Sequence, residues 1–512
     1  MPSGAGPGAG VDVGAGLAMA GAVAAGAEVE AGASGADGRE QPTRLNARRP
    51  DPTHGFSLDH RIGRTCRALR AGDSPKVIRR DGAGRDFRCC PDAERELVVG
   101  FRRSRTTRRR SPGTPVFQHL QNRMLDPHSL GTRRLAPAIV EYIHRTSPAA
   151  APAHRLTAEA ADAQFEQLAR ELFAAQFAAN PPYQAWCRSR GVDPTRIRSW
   201  RDIPAVPTAA FKEFDLTCLP PAGRTRVFHS SGTTAQRPGR NFHDAESLSV
   251  YEASLRPWFV AHVLGELPEL EAEELLAPGQ DPAFLSLTPP AEAVPHSSLV
   301  YMFDTIVRHH GARDSVFAGR LDAGGGWEVD HDRALFALRK SMCANRPILL
   351  LGTAFNFVQL LDHFAAGNIR YRLAEGSRVL ETGGYKGRTR VVPKAELHAL
   401  ITRHLGISPR RIGCEYGMCE LASQAYDDPG ADHRRFHFPP WARARVIYPE
   451  TGADVPDGQP GLIQICDLAN VASVVAVQTG DLGVRSGDGS FELLGRAEAV
   501  EPKGCSLNSA DV

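Results

Sequence analysis

Five short segments beyond residue 225 combine small, hydroxyl-bearing, aromatic and acidic residues. The first is Phe228-His229-Ser230-Ser231-Gly232-Thr233-Thr234, in which a strand-like run leads into a loop of small residues. Small residues allow backbone N–H groups to face phosphate oxygens, and serine and threonine hydroxyls add further donors. The loop lacks the Gly-Lys-Ser/Thr ending of a P-loop. Taken alone, it is also typical of an ordinary surface turn.

Two further segments place glycine, aromatic and acidic residues directly after apolar, strand-like runs. In the first of them, Gly383 and Gly384 permit close approach of the backbone to a flat ligand. In the second, Tyr416 offers an aromatic platform and Glu420 a carboxylate suited to Mg²⁺. Each pattern has a simpler interpretation, a strand-to-helix turn for the first and a buried strand end with a solvated glutamate for the second.

The last two segments lie near the C-terminal end of the sequence. Thr479-Gly480-Asp481 presents a carboxylate that can accept hydrogen bonds from both ribose hydroxyls, although Gly-Asp is also common in plain turns. Gly495-Arg496-Ala497-Glu498 adds a cation. Each of the five segments is weak evidence by itself, and their common order and spacing is the informative feature.

In that order and spacing, the five segments resemble the adenylate-forming superfamily of acyl-CoA synthetases, peptide-synthetase adenylation domains and firefly-type luciferases. The resemblance covers residues 160–512 and implies activation of a carboxylic acid as acyl-AMP, with ATP and Mg²⁺ as cofactors. It also implies how the work is divided: phosphate binding by Ser230, Ser231, Gly232, Thr233 and Thr234, adenine contacts by Gly383, Gly384 and Tyr416, metal binding by Glu420, and ribose binding by Asp481 and Arg496.

The chain departs from the superfamily pattern at three places. Ala235 stands where a glycine is usual, and Cys419 stands where a threonine is usual. Only 16 residues follow Arg496, so we expect the C-terminal lid of the superfamily to be truncated and its lysine to be missing. Lys386 and Lys503 are the candidates to replace that lysine, and we assign Lys386 to the catalytic group.

The tail Glu501-Pro502-Lys503-Gly504-Cys505-Ser506-Leu507 narrows the resemblance. It resembles the LuxE-type acyl-protein synthetases, the fatty-acid-activating component of bacterial luminescence, and Pro295-His296-Ser297-Ser298 resembles their acyl-side segment. This resemblance implies that Cys505 accepts the acyl group as a thioester, because an acyl-AMP reacts readily with a thiolate. An acyl reductase or an acyl-carrier protein is then the expected partner.

Two alternatives stay open. The chain can be an adenylating ligase of specialised metabolism that passes the acyl group to a carrier protein or an amine while Cys505 is idle. It can also be a non-catalytic nucleotide-binding scaffold, because the lid is expected to be truncated. The sequence does not specify the acid, but we expect its pocket between the segments 295–305 and 350–357. Phe303, Phe355 and Phe357 either line this pocket or are core residues, which is the commoner position of aromatic residues.

Alternating strand and helix patterns predict an α/β fold of the adenylate-forming N-terminal-domain type, with β-sheets flanked by helices. Thr157 is a candidate N-cap for a helix that Pro181-Pro182 ends. The predicted buried strands are Ala283–Leu287, Pro347–Leu351 and Val379–Glu381, and the predicted helices are Phe355–Phe364 and Pro393–His404. Arg443–Ile447 and Gly461–Cys466 are predicted strands of a small, separate β subdomain, and Ile203–Phe214 is predicted to be a proline-broken linker.

Composition and charge divide the chain into four parts. Residues 1–113 are predicted to be a disordered Gly/Ala- and Arg-rich extension, 114–156 a transition segment, 157–496 the catalytic domain, and 497–512 the short tail with Cys505. The net charge is only +3, with the basic surplus in the first 150 residues and six arginines between residues 102 and 110. We expect no nucleic-acid function, since no aromatic residues interrupt this run.

Several classes of protein are not expected. No apolar run is rich enough in large aliphatic residues to span a bilayer, and no basic residue precedes the Ala/Gly stretch Gly14–Ala27 as a secretory signal requires. The ten cysteines include no CxxC pair, so neither a disulfide framework nor a zinc site is indicated. A cytoplasmic location is therefore expected.

Overall fold

Helices cover both faces of one large mixed β-sheet in the computed structural model, which describes residues 130–230, 237–265, 282–384, 389–431 and 433–497. The α-helices of these residues are α1 (Leu130–Thr146), α2 (Ala158–Ala179), α3 (Pro181–Ser189), α4 (Ala210–Glu213), α5 (Ala245–Phe259), α6 (Ser298–His310), α7 (His331–Cys343), α8 (Ala354–Ala366) and α9 (Lys394–Leu405).

The strands follow the same alternating order along the chain. They are β1 (Val206–Pro207), β2 (Arg226–His229), β3 (Arg240–His243), β4 (Ala283–Ser286), β5 (Val316–Phe317), β6 (Gly319–Leu321), β7 (Trp327–Val329), β8 (Ile348–Thr353), β9 (Arg378–Thr382), β10 (Ile412–Tyr416), β11 (Ala425–Asp427), β12 (Phe436–His437), β13 (Ala442–Ile447), β14 (Pro460–Asp467), β15 (Ala476–Arg485) and β16 (Phe491–Arg496).

The central sheet has a parallel half and an antiparallel half. Its order is β13-β14-β15-β16-β12-β11-β10-β9-β8-β4-β5, and β1 adds to β15 in parallel. The strands β5, β4, β8, β9 and β10 are parallel neighbours, whereas the connections from β10 through β12 to β16 are antiparallel. The α/β class predicted from the sequence is confirmed.

The small β subdomain predicted around Arg443–Ile447 and Gly461–Cys466 corresponds to β13 and β14, but it is not separate. Its strands continue through β15 and β16 into β12 and β11, which are hydrogen-bonded to the parallel half. The sequence missed this continuity because β11 and β12 are only three and two residues long and carry no clear alternation.

The parallel half is covered on both faces, as its apolar strands require. Along β8, Leu349 and Leu351 belong to one hydrophobic core, whereas Ile348 and Leu350 belong to the other. Helices α5 and α6 pack into the first core, and α7, α8 and α9 into the second. Side chains alternate between the two faces of a strand, so a near-continuous apolar run is the expected sequence for this position.

The predicted elements of the parallel half are confirmed with boundary shifts of one to two residues. Ala283–Leu287, Pro347–Leu351 and Val379–Glu381 correspond to β4, β8 and β9, while Phe355–Phe364 and Pro393–His404 correspond to α8 and α9. The carboxyl ends of β8, β9 and β10 lie at one edge of the sheet, which is where open α/β sheets bind ligands.

The helix predicted to begin at Thr157 is α2, and the Thr157 side chain caps it by accepting from the Ala160 N–H at 3.3 Å. The helix ends before Asn180, which in turn caps α3. Helix α1 precedes residue 157, and its buried residues Ile139 and Tyr142 belong to the same core as α2 and α5. The described body therefore begins earlier than the predicted boundary at residue 157.

Asp467 ties the end of β14 to the segment that follows Glu420. Its buried carboxylate accepts hydrogen bonds from the Ala422 N–H, from the Ser423 N–H and hydroxyl, and from the Ala469 N–H, at 2.7–3.0 Å. Burial raises the pKa of Asp467, and these hydrogen bonds oppose that effect. One side chain thus joins the end of β14 to the chain that follows the Glu420 turn.

Replacement of Asp467 by asparagine is expected to lower the free energy of unfolding by about 2–4 kcal/mol, because an amide cannot accept all four hydrogen bonds and brings its own donor into the cluster. Urea unfolding measures the change. The matched control is Asp488→Asn, an exposed aspartate whose carboxylate accepts only from Ser490. Equal losses for the two variants would contradict the assigned role of Asp467.

Candidate active site

The loop that begins at Ser230 is closed at its base by the hairpin β2–β3. The Ser230 N–H donates to the Gly239 carbonyl at 2.9 Å, and the Gly239 N–H donates to Ser230 Oγ at 2.8 Å. Antiparallel pairing of His229 with Arg240 continues this closure into the hairpin. The hydroxyl of Ser230 is therefore fixed at the point where the chain leaves β2.

Glu420 lies directly against this loop base. A Cβ placed on Gly239 would lie 3.0 Å from Ser230 Oγ, 3.1 Å from Glu420 Oε1 and 3.4 Å from the Phe211 Cβ of α4. The close approach of a carboxylate, a hydroxyl and a helix therefore requires glycine at this position. Burial raises the pKa of Glu420, and this effect outweighs the hydrogen bond from Cys419 and the charges of Arg496 and Lys212.

The main chain around Glu420 is held by two buried asparagines. Asn241 of β3 donates from Nδ2 to the Cys419 carbonyl at 2.8 Å, and Asn470 donates from Nδ2 to the Glu420 carbonyl at 2.9 Å. Because Asn241 follows Gly239 by two residues, the same short segment closes the loop base and holds the Glu420 turn.

Asp481 is the centre of a second group of predicted residues. Its Oδ2 accepts from the Tyr416 hydroxyl at 2.9 Å, and its Oδ1 lies 3.1 Å from Nε of Arg496, its cross-strand partner on β16. The Asp481 N–H donates to Thr479 Oγ1 at 3.1 Å. Burial, followed by the charge of Asp481, raises the pKa of Tyr416 well above its ordinary value, so the phenol remains a donor.

The Tyr416 ring is packed among aromatic side chains. It lies 5.3 Å from the ring of Phe491, 5.8 Å from Phe436 and 6.2 Å from Phe438, measured between ring centroids. These neighbours fix the ring at the carboxyl end of β10. Its predicted contact with adenine stays a prediction.

Gly383 and Gly384 border open space. Gly383 has a φ of +68°, and no atom lies within 4 Å of a Cβ placed on either residue. Thr382, which precedes them, donates its hydroxyl to the Glu415 carboxylate, and β9 pairs in parallel with β10 at this level. The glycine pair is thus held beside the Tyr416 segment with its backbone accessible, as a flat ligand would need.

The structure brings together all described members of the predicted site, which are Ser230, Gly383, Gly384, Tyr416, Glu420, Asp481 and Arg496. The remaining predicted residues lie outside the described residues, namely Ser231, Gly232, Thr233, Thr234, Lys386 and Cys505. The acyl-side segment adjoins the loop, since the His229 N–H donates to the His296 carbonyl at 2.9 Å and the two rings stack at 4.6 Å.

The three phenylalanines proposed for the acid pocket do not form one wall. Phe303 belongs to the core on the α5–α6 face of the sheet, whereas Phe357 belongs to the core on the opposite face. Phe355 is buried against Trp327, with ring centroids 6.2 Å apart. These aromatic residues are core residues, which is their usual role in folded proteins.

Sequence reasoning missed Gly239, Asn241 and Asn470, which position the site without belonging to its recognisable segments. A signal for the first two was present, because strand-like runs on either side of the Ser/Thr/Gly loop predict a hairpin whose second strand must return to the loop base. Asn470 carried no such signal, since it reaches Glu420 from 50 residues away.

One group of metal-ligating side chains occurs within the described ranges, formed by Glu381, His398 and Cys414, with ligand atoms within 4.8 Å of one another. Arg434 Nη1 lies 3.2 Å from His398 Nδ1. Guanidinium can only donate, so Nδ1 accepts and Nε2 carries the proton in place of a metal. The Lys394 ammonium also interacts with Cys414 and Glu381, which makes the group a compensated charge network.

Buried cysteines of the described body are poor nucleophiles. Burial raises the pKa of each, so the thiol form predominates. They are Cys187, Cys218, Cys414, Cys419 and Cys466. Cys343 is exposed at the end of α7, which packs against β4 and β5.

Glu415 contacts both the end of β9, at Thr382, and the turn after β10, at Gly417. It accepts the Thr382 hydroxyl, and its Oε1 lies so close to Gly417 that a Cβ there would be 2.2 Å away. Burial raises the pKa of Glu415 to about 7. The folded state therefore holds the proton more tightly than the unfolded chain, whose ordinary value is 4.5.

This pKa difference predicts a pH-dependent stability. The contribution of protonated Glu415 is fully present below pH 4.5 and is lost as the pH rises through 7, a change of roughly 3 kcal/mol. Glu415→Gln should be less sensitive to pH by this amount in urea unfolding across that window. Glu420 and Asp467 titrate in both proteins, so the difference isolates Glu415, and parallel stability curves would contradict the assignment.

Among the described residues, no helix is long and apolar enough to cross a bilayer.

Solved structures with a similar fold include a 2-hydroxyisobutyryl-CoA ligase in complex with 2-HIB-AMP and CoA. It is 14% identical, with a TM-score of 0.49 over 67% of this chain and 69% of that one. Another is ATP-bound MatB from Rhodopseudomonas palustris, at 19% identity and a TM-score of 0.36 over 53% of this chain and 47% of that one.

Comparisons of the sequence point to a narrower group of proteins than the solved structures do. The long-chain-fatty-acid–luciferin-component ligase of Aliivibrio fischeri is 24% identical over 358 residues, which are 68% of this chain and 88% of that protein. Its counterpart in Vibrio harveyi is 23% identical over 340 residues, 64% of this chain and 82% of that protein. Residues 323–511 match the family described as "Acyl-protein synthetase, LuxE". The predicted resemblance is thereby confirmed, and the chain is similar to the LuxE acyl-protein synthetases.

Proposed function

We propose that this chain is an ATP-dependent ligase that activates a fatty acid as acyl-AMP and transfers the acyl group to a protein thiol. The observation that carries the proposal is the contact of the Glu420 carboxylate with the base of the Ser230 loop, beside the Asp481–Arg496–Tyr416 cluster. The two similar ligases are named for a long-chain fatty acid and a luciferin component, which supports this substrate class and a protein acceptor.

The described residues fit ATP in their chemistry. Gly383 and Gly384 leave space for a flat base, and Asp481 presents a carboxylate to hydroxyl donors. Glu420 is the residue that would hold Mg²⁺, because a buried carboxylate with a raised pKa lacks full compensation of its charge. The ion supplies neutralisation of the triphosphate when it is bound.

In the first half-reaction, an oxygen of the substrate carboxylate attacks the α-phosphorus of ATP, and the bond from this phosphorus to the bridging oxygen of pyrophosphate breaks. The carboxylate is ionised at neutral pH, so no general base is needed. The chain contributes positioning and charge stabilisation. Ser230 donates to phosphate oxygens in this scheme, while Asp481 and Arg496 hold the ribose.

In the second half-reaction, a thiolate attacks the acyl carbon and AMP leaves. The described cysteine nearest to the site, Cys419, is a buried thiol whose pKa is raised by burial and by Glu420. It is therefore unsuited to accept the acyl group. Cys505 and an external thiol are the acceptors to compare, and we propose Cys505, with Lys503 favouring its thiolate form.

Glu420→Gln is expected to lower the rate of ATP–pyrophosphate exchange by roughly 100-fold, because the neutral amide cannot neutralise or bind a cation at the loop base. The assay is run with saturated fatty acids of increasing length and with aromatic acids. Glu450→Gln, at an exposed position in the turn after β13, is the matched control and should exchange like the wild-type chain. Exchange with none of the acids would favour the non-catalytic scaffold.

Incubation with ATP and a labelled fatty acid is expected to label the wild-type chain but not Cys505→Ser, because the serine hydroxyl stays protonated at neutral pH. The label should be released by hydroxylamine, as a thioester is. Cys343→Ser, which removes the exposed cysteine of α7, should label normally. Full labelling of Cys505→Ser would contradict Cys505 as the acceptor. A wild-type chain that exchanges pyrophosphate but takes no label would support direct transfer to a carrier protein or an amine.

A further inference from the structure

We propose that Lys212 is a further catalytic residue, whose ammonium contacts the substrate carboxylate and the α-phosphate of ATP and offsets the charge that accumulates between them. The inference rests on the proposed function and adds a residue to it. It concerns helix α4, which the sequence pattern presented as part of a proline-broken linker.

Helix α4 is anchored on one side to the strand that carries Asp481. Val206 and Pro207 of β1 pair in parallel with Val477 and Gln478 of β15. The Thr208 N–H then donates to the Gln478 carbonyl at 2.9 Å. Lys212 therefore follows, within four residues, a backbone that is fixed beside the Thr-Gly-Asp segment.

On its other side, α4 is anchored to the hairpin that closes the phosphate loop. Asp215, just beyond the helix, forms ion pairs with Arg240 at 2.7 Å and with Arg224 at 2.8 Å. Arg240 directly follows Gly239, so this pair lies next to the loop base. A helix of only one turn is thus held at both ends by long-range contacts.

The helix also adjoins Glu420. Phe211 Cβ and Glu420 Oε1 lie 3.4 and 3.1 Å from the same point, the Cβ position of Gly239. Lys212 is the next residue, it is half-buried, and its charge acts on the Glu420 carboxyl. A lysine side chain that starts one residue from Phe211 is long enough to reach the space bordered by the loop base and Glu420.

The charges at the site explain why a second cation is needed. Adenylation brings a carboxylate against a triphosphate, beside the acidic groups Glu420 and Asp481. Arg496 is engaged with Asp481 at 3.1 Å and is expected to hold the ribose. The charge of Lys212 also acts on Glu420. A compact ammonium on a flexible four-carbon stem can follow the phosphorus as its bonds change.

The test compares Lys212→Met, Lys212→Gln and Lys212→Arg with the wild-type chain in ATP–pyrophosphate exchange, using the acid that the wild type exchanges fastest. We expect kcat to fall roughly 100-fold in the Met and Gln variants, with KM for ATP changed less than kcat. Arginine should restore part of the rate. Lys340→Met on α7, which removes a lysine paired with Asp314 at 3.3 Å, is the matched control and should exchange normally.

Unfolding midpoints, measured on the same samples, separate catalysis from folding. A folded Met or Gln variant with low kcat supports the proposal. Wild-type kcat in either of these variants would overturn it, and so would unfolding of both, which would assign Lys212 to the stability of α4. Absence of exchange in the wild-type chain with every acid would instead refute the proposed function on which the inference depends.

Discussion

The contact of Glu420 with the base of the Ser230 loop is the constraint on which the rest of the site depends. A carboxylate can approach a backbone this closely only where no side chain intervenes, and Gly239 provides that gap. The approach also places a partly uncompensated carboxyl in a buried position, which is unfavourable without a cation. Hydrogen bonds from Asn241 and Asn470 and the fourfold acceptance by Asp467 hold the turn against this cost.

The sheet explains how distant segments converge on that contact. Parallel strands β9 and β10 deliver the glycine pair and Tyr416 to one edge, and the antiparallel half returns Asp481 and Arg496 to the same edge. The two halves meet through the short strands β11 and β12. A separate β subdomain would not fix the distance between Tyr416 and Asp481, whereas a continuous sheet does, and their hydrogen bond at 2.9 Å depends on it.

Features of the fold and the site that depend on local sequence could be predicted, whereas those that depend on contacts between distant segments could not. The buried strands β4, β8 and β9 were predictable, because apolar runs report burial on both faces directly. The segments around Ser230, Tyr416, Glu420 and Asp481 were recognisable from local residue types. Asn470 and Lys212 were not, because their roles arise only from contacts across the fold. For Phe303, Phe355 and Phe357 the sequence left pocket and core positions open, and the structure buries all three in the core, the commoner position of aromatic residues.

Two carboxyls at this edge of the sheet have raised pKa values, and their surroundings separate their roles. Glu415 is enclosed by Thr382 and the Gly417 turn. Protonation removes the charge that burial disfavours, so this carboxyl needs no bound cation. Glu420 has the same burial but faces the loop base and the charges of Arg496 and Lys212. A cation that binds there must displace the proton that burial favours, so its affinity falls with decreasing pH. Glu415 therefore stabilises the turn as a neutral acid, whereas Glu420 can ionise when a cation binds beside it.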